Sequence, residues 1–206
     1  MKKTVLLIVA CVFAFATVQA QSSEVEATTQ QTKAEQFLAK TTLVKEDCIY
    51  KDKAGGLVIA VKVFTDLKTE KKIAALEFAP TVGNALLTAQ AGGIPGRLGY
   101  IDMEHVDDLL LALETILAET NNSSRKDEYS IVYTSPSGID VRCDFVGGGI
   151  ISGGMIGFSR KSHYINEYGI WTEYIAGQAN MDIKRLSKII NDIKEAKSVA
   201  LQKLAQ

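Results

Sequence analysis

The chain has 206 residues, and its 23 lysine and arginine residues against 24 aspartate and glutamate residues give a formal net charge of −1 at pH 7. This near balance does not favour nucleic acid as a partner, because nucleic-acid-binding domains typically carry a clear basic excess. The length is sufficient for one domain with a sizeable buried core.

The first twenty residues have the three parts of a secretory leader. Lys2 and Lys3 form a basic start, Val5 to Ala16 an apolar run of about twelve residues, and Val18-Gln19-Ala20 a small-residue cleavage site. The run is shorter than the roughly 20 apolar residues that a membrane span needs. We therefore predict a signal peptide over residues 1–20, cleavage after Ala20, and export to the periplasm or the medium without a transmembrane segment in the mature chain.

Residues 21–40 are expected to form a flexible N-terminal segment, and residues 41–206 a single α+β domain. The stretch from Gln21 to Lys33 is rich in Ser, Thr, Gln and Glu, a composition typical of a tether. Ala34, Phe37 and Leu38 then occur at helical spacing, which predicts one short helical turn docked on the domain.

The first half of the domain, residues 41–121, contains four predicted strands followed by a helix. Alternating or β-rich stretches cover residues 44–50, 57–64, 73–78 and 98–101, with turn residues between them. Asp102 is expected to cap the helix that follows. The helix has an apolar face whose residues recur at spacings of three and four: Val106, Leu109, Leu110, Leu113, Ile116 and Leu117.

The second half, residues 126–206, repeats this plan with predicted strands at 129–134, 139–145, 155–159 and 170–175 and a helix from about Asn180 to Leu204. Its helix matches the first at an offset of 77 residues, and Tyr174-Ile175 match Tyr100-Ile101 at an offset of 74. The sequence thus predicts an internal repeat. Two tandem β-β-β-β-α units form one α+β domain, with antiparallel sheet and helices packed on it.

Two segments attract attention but lack the spacing of a known site. Gly147 to Gly157 has neither the dinucleotide-binding nor the phosphate-loop pattern, so we predict a hairpin or bulge, with close approach of a ligand to its backbone as the functional alternative. His105 lies among acidic residues at a helix start, where carboxylates are favoured electrostatically. No second histidine lies at ligand spacing, and we predict no metal and no cofactor.

The serine and cysteine residues likewise do not occur in the sequence pattern of a catalytic nucleophile. Ser137-Gly138 fits a turn. Cys11 lies inside the leader, which leaves Cys48 and Cys143 either as one disulfide in an oxidising compartment or as two separate buried thiols. Cys143 alternates in phase with Val141 and Phe145, which favours a position in the core.

Aromatic residues between positions 163 and 174 provide the best candidate for binding. We predict that Tyr164, Tyr168 and Trp171, with Arg160 beside them, contact a ligand or partner, because Tyr and Trp dominate recognition surfaces. The alternative is an edge strand whose aromatic residues cap the sheet.

Since no set of catalytic residues converges, the leading hypothesis is a non-enzymatic binding or accessory module of the cell envelope, acting on an unknown protein or small ligand. One alternative is a secreted hydrolase-like enzyme with a site around Cys143 or the Gly147–Gly157 loop. Another is a structural subunit of an envelope assembly.

Overall fold

The computed structural model describes residues 31–81, 98–121, 128–145, 155–165 and 171–206, with only the backbone of 155, 161–165 and 171–177. Three α-helices are described, namely α1 (Lys33–Lys40), α2 (Val106–Thr120) and α3 (Leu186–Leu204). The strands are β1 (Val44–Ala54), β2 (Leu57–Asp66), β3 (Lys72–Pro80), β4 (Gly99–Asp102), β5 (Tyr129–Thr134), β6 (Ile139–Phe145), β7 (Met155–Ile165) and β8 (Trp171–Asp182). Short 3-10 turns, Met103–His105 and Ile183–Arg185, precede α2 and α3.

The strands form two antiparallel four-stranded sheets, a first sheet in the order β1-β2-β3-β4 and a second in the order β5-β6-β7-β8. A 3-10 turn and a helix follow each sheet. The chain therefore consists of a first unit, β1–β4 with α2, and a second unit, β5–β8 with α3. The α+β fold and the internal repeat predicted from the sequence are confirmed, with the strands divided between two sheets.

The two units correspond at an offset of 80 residues from their third strand onward. The helix starts, Val106 and Leu186, differ by this number. So do Phe78, which pairs with Gly99, and Phe158, which pairs with Ala179. The offsets of 77 and 74 predicted from the sequence were wrong.

The error has two physical causes. An apolar pattern with spacings of three and four still fits well after a shift of three residues, because three residues make nearly one helical turn. In addition, β8 continues to Asp182, so the helix predicted from Asn180 begins at Leu186.

The hydrophobic core is shared between the units. One cluster of buried apolar side chains includes residues of both sheets and of both long helices. Helix α3 of the second unit packs on β1, β2 and β3 of the first sheet, whereas α2 contacts β5 of the second sheet. The equivalent residues Phe78 and Phe158 are both fully buried, and their rings stack with centroids 5.6 Å apart. Each unit thus completes the core of the other.

Helix α1 covers the outer face of the first sheet. The Thr32 hydroxyl accepts a hydrogen bond from the Glu35 backbone N–H (3.0 Å), and the Glu35 carboxylate accepts one from Thr32 N–H (3.0 Å), which completes a capping box. The docked turn predicted from the sequence is confirmed as a full helix. The second apolar cluster formed by this docking comprises Ala34, Phe64, Ala75 and Tyr100, with Phe37, Leu38, Val44 and Ile73 packed against it.

The predicted leader, residues 1–20, lies outside the described residues, so its cleavage stays a prediction. Among the helices that the structure describes, none has both the length and the hydropathy needed to cross a membrane.

Candidate functional site

The predicted aromatic site lies on the β7–β8 hairpin, which extends beyond the four-stranded part of the second sheet. Among the described residues, β6 pairs with β7 as far as Arg160. Strand β7 continues to pair with β8 until Ile165, which lies opposite Trp171. The register shifts between Arg160 and Lys161, where the two-stranded part begins. We term this part, residues 161–165 and 171–175, the arm.

The structure brings two of the predicted binding residues to the end of the arm. Tyr164 pairs with Thr172, and Trp171 pairs with Ile165, so Tyr164 and Trp171 belong to adjacent pairs of the ladder. Tyr168 lies outside the described residues, as do residues 147–154 of the glycine-rich segment. The contribution of the three aromatic residues and of the glycine-rich segment to binding therefore stays a prediction.

The one described glycine of that segment, Gly157, has a packing role. It lies opposite Asn180 in the ladder between β7 and β8. A Cβ atom added at this position would lie 2.8 Å from the side-chain oxygen of Asn180. The absence of a side chain at Gly157 therefore makes room for the amide of its cross-strand neighbour.

Arg160, the fourth predicted binding residue, lies at the root of the arm and already has an intramolecular partner. Its Nη2 donates to Oε1 of Glu35 in α1 at 3.0 Å, and the two side chains are 25% and 22% exposed. Gly99 in β4 adopts a φ of +129°, and a Cβ atom there would lie 2.5 Å from Nη1 of Arg160. Arg160 thus connects the second unit to both α1 and β4.

A cleft of about 170 Å³ lies between the start of α1 and the β5–β6 turn. Its wall contains Asp102, Glu104 and His105, whose metal-ligand atoms lie within 4.8 Å of one another. The carboxylate of Asp102 accepts hydrogen bonds from the backbone N–H of Lys33 (2.8 Å) and Ala34 (3.4 Å). Asp102 therefore supports the start of α1, whereas the sequence predicted it as a side-chain cap for the following helix, a bond that is not formed.

Two charged side chains of this cleft are paired with each other. The ammonium group of Lys33 forms an ion pair with Glu104, and this contact holds the pKa of Glu104 below its ordinary value. His105 lies 3.7 Å from Glu104. Glu104 and Asp102 thus both have partners within the protein, Lys33 for the first and the start of α1 for the second.

Two serines in the wall of the same cleft serve the β5–β6 turn. The Ser135 hydroxyl accepts from the backbone N–H of Ile139 (2.9 Å), and the Ser137 hydroxyl donates to the carbonyl of Tyr100 (2.9 Å). The two hydroxyls lie 3.0 Å apart, and Gly138 closes the turn with a φ of +77°. Both buried hydroxyls thus stabilise the turn and its contact with β4, which does not favour either as a nucleophile.

The two cysteines that the structure describes are free thiols. Cys48 is exposed on β1, and Cys143 is buried in the shared core on β6. The structure contains no bond between these two residues, and of the alternative of two separate buried thiols only Cys143 is buried, so the burial expected of Cys48 was wrong. Cys143 occupies the core position predicted from its alternation with Val141 and Phe145.

A charge cluster that the sequence analysis missed joins α3 to the first sheet. Lys188 Nζ lies 2.6 Å from an Asp192 oxygen and 2.7 Å from an Asp52 oxygen. The Asp192 side chain is 8% exposed, and burial raises the pKa of its carboxyl against the opposing effect of Lys188. Burial and nearby carboxylates raise the pKa of Tyr50 to about 12. The spacing of Lys188 and Asp192, four residues apart on one helix, was the available sequence signal.

No protein-family model matches the chain, and comparisons with curated proteins and with solved structures found no significant match. The function is therefore argued from the geometry of the chain itself.

Proposed function

We propose that this protein is an exported, non-enzymatic binding or accessory module of the cell envelope, and that the arm carries its binding surface. The observation that supports the arm is its ladder, in which β7 continues with β8 beyond the last residue paired with β6. Tyr164 and Trp171 lie near the end of this ladder. Tyrosine and tryptophan are enriched among the residues that contribute most to protein–protein binding.

The shape of the candidate surface favours a protein partner over a small ligand. Small-ligand sites are usually concave pockets that enclose most of the ligand. The arm is instead a two-stranded extension, in which residues 161–165 of β7 pair with β8. The cleft beside α1 is concave, but its Lys33 and Glu104 are paired with each other.

The non-enzymatic part of the proposal rests on the contacts of the candidate nucleophiles. Ser135 and Ser137 use their hydroxyls within the β5–β6 turn and toward β4. Cys143 is completely buried in the apolar core. A nucleophile needs a neighbouring base and access to the substrate, and these residues are committed to packing and turn contacts.

A capture experiment with the mature chain tests the proposal. Residues 21–206 are immobilised and exposed to an envelope extract of the source cells, with wild type, Trp171→Ala and Tyr164→Ala compared in parallel. Val132→Ala serves as the control, because Val132 is an exposed apolar residue of the same sheet, on β5. We expect Trp171→Ala to reduce the affinity for a captured partner by about 30-fold, typical of a dominant contact residue, while Val132→Ala retains it.

The thermal midpoint separates binding from packing. The proposal requires that Trp171→Ala leave this midpoint within about 2 °C of wild type, because a binding surface has to be accessible and a surface residue contributes little to the core. A large drop in the midpoint, together with unchanged capture, would show instead that the aromatic residues cap the sheet.

A further inference from the structure

Three independent features meet at Arg160. It is the last β7 residue paired with β6, where it lies opposite Ile139. The register shift that starts the arm follows directly after it. Its guanidinium lies against Gly99 of the first unit and donates to Glu35 of α1. The position of this one side chain therefore links α1, the first unit and the root of the arm.

Glu35 is suited to hold Arg160 because its two oxygens have separate partners. Oε2 accepts from the backbone N–H of Thr32 and completes the capping box of α1. Oε1 accepts from Nη2 of Arg160. The Glu35 side chain thus stabilises the start of α1 and also binds the residue at the root of the arm.

Helix α1 depends on its docking contacts to exist. Isolated helices shorter than about 12 residues are marginal in water, and α1 has 8 residues. It is held by the apolar cluster beneath it and by Asp102, which accepts from the backbone N–H of Lys33 and Ala34. When α1 leaves the sheet, Glu35 leaves with it and Arg160 loses its carboxylate.

We propose that docking of α1 sets the conformation of the arm through the Glu35–Arg160 ion pair. Docked α1 holds the guanidinium in the space above Gly99 and thereby fixes the register shift from which the arm extends. Release of α1 loosens the arm. Arg160 acts here as a positioning residue, and the consequence for partner binding rests on the proposed function of the arm.

Hydrogen exchange of the whole mature protein tests this coupling without a partner. Glu35→Gln is the decisive variant, because glutamine can still complete a capping box but has a single acceptor oxygen for Thr32 and Arg160. We expect exchange about tenfold faster both in α1 and in arm residues 161–165 and 171–175, the effect of losing one charged hydrogen bond from a local opening equilibrium. Arg160→Gln removes the pair from the other side and should accelerate the arm equally.

Lys33→Gln is the matched control. It breaks the other ion pair of α1, that between Lys33 and Glu104, and leaves the Glu35–Arg160 pair in place. Because the Lys33–Glu104 pair is exposed and contributes little to the docking of α1, we expect this variant to leave exchange in the arm unchanged. Faster exchange in α1 alone for Glu35→Gln, no change in either segment, or equal acceleration throughout α2 and α3 would each overturn the proposal.

The same measurements distinguish this inference from the proposed function. If Glu35→Gln loosens the arm and Trp171→Ala still captures the partner fully, the coupling stands and the binding surface lies elsewhere. If Trp171→Ala abolishes capture while Glu35→Gln leaves exchange in the arm unchanged, the binding surface stands and the coupling is wrong.

Discussion

The two sheets have the same strand order, but corresponding positions on their outer faces differ in polarity and exposure. On the first sheet, Tyr100 is 6% exposed and packs edge-on against Phe64 beneath α1. At the corresponding ladder position of the second sheet lies Asn180, which is exposed. The second sheet also presents an exposed ion pair between Arg142 and Asp144 (2.8 Å). The part of the first face beneath α1 is thus apolar and covered, whereas these described residues of the second face are polar and exposed, a contrast that antiparallel sheets permit.

The fourth strands of the two sheets also differ, here in length. Strand β4 has 4 residues, whereas β8 has 12 and carries the arm. The first unit uses its sheet to bind α1 and α3, while the second extends its last hairpin beyond its sheet. The same strand order therefore ends in a short, buried strand in the first unit and in a long strand that extends beyond its sheet in the second.

We expect the largest effect when the reactivity of an exposed thiol is compared with that of a buried one. Cys48 lies exposed on the first sheet's β1, and Cys143 lies in the core on β6. A thiol reagent should label Cys48 in the native protein at the rate of a free thiol. Labelling of Cys143 should be slower by on the order of 1000-fold or more, because it requires opening of the core.

Mass spectrometry of the labelled chain measures both rates. In denaturant without reductant, both residues should react, giving two labels on residues 21–206. Fewer than two labels under these conditions would mean that at least one of these thiols is oxidised in the protein.

Substitution of the two central phenylalanines tests whether the units are equivalent where they meet. Phe78→Ala and Phe158→Ala should each lower the free energy of unfolding by about 3–5 kcal/mol, because both rings are fully buried. Since the rings stack on each other, the double variant should lose less than the sum of the two. Urea unfolding measures all three. A much smaller loss for one phenylalanine would contradict the shared core.

Substitution at the paired outer positions tests the contrast between the faces. Tyr100→Ala should cost about 3 kcal/mol, because it removes a buried ring and part of the surface on which α1 packs. Asn180→Ala, at the corresponding position, should change the stability by less than about 1 kcal/mol, as expected of an exposed side chain. Equal losses in urea unfolding would show that a further part of the chain covers the second sheet.

Much of the fold followed from local sequence patterns. The alternation of Ile59, Val61 and Val63 predicted a strand with one buried face, and these three side chains are buried. The apolar faces of α2 and α3 likewise line the shared core. Such patterns report the backbone state of neighbouring residues, and here they agree with the packing.

The features that position the candidate site were not predictable in this way. Glu35 and Arg160 are 125 residues apart, and nothing local in either segment indicates the other. The register shift after Arg160 and the exchange of helices between the units depend equally on distant pairing. The exception is the Thr32–Glu35 capping box, whose spacing was visible and predicts where α1 begins.

The smallest expected effect concerns the charge cluster on α3, which also distinguishes the units. The α2 residue equivalent to Asp192 is Ala112, so the buried carboxylate belongs to the second unit's helix on the first sheet. Burial raises the pKa of Asp192 in the folded protein. Its ionised form is therefore disfavoured by folding, and the cost is present at neutral pH and disappears as the pH falls through the raised folded-state pKa.

Asp192→Asn should accordingly raise the free energy of unfolding at pH 7 by about 1 kcal/mol or less, because Lys188 already offsets part of the cost of burial. This stability advantage over wild type should shrink between pH 7 and pH 4.

Asp52→Asn is the control of opposite sign. The hydrogen bond from Lys188 lowers the pKa of Asp52, so its carboxylate stabilises the fold at neutral pH and loses this effect as the pH falls through its lowered folded-state pKa. Urea unfolding of the three proteins from pH 7 down to about pH 2 measures both trends, because Asp52 loses its effect only below its ordinary pKa of 3.8. If Asp192→Asn proves destabilising at pH 7 and neutral at pH 4, the Lys188 contact outweighs burial, and the carboxylate helps to hold α3 on the first sheet.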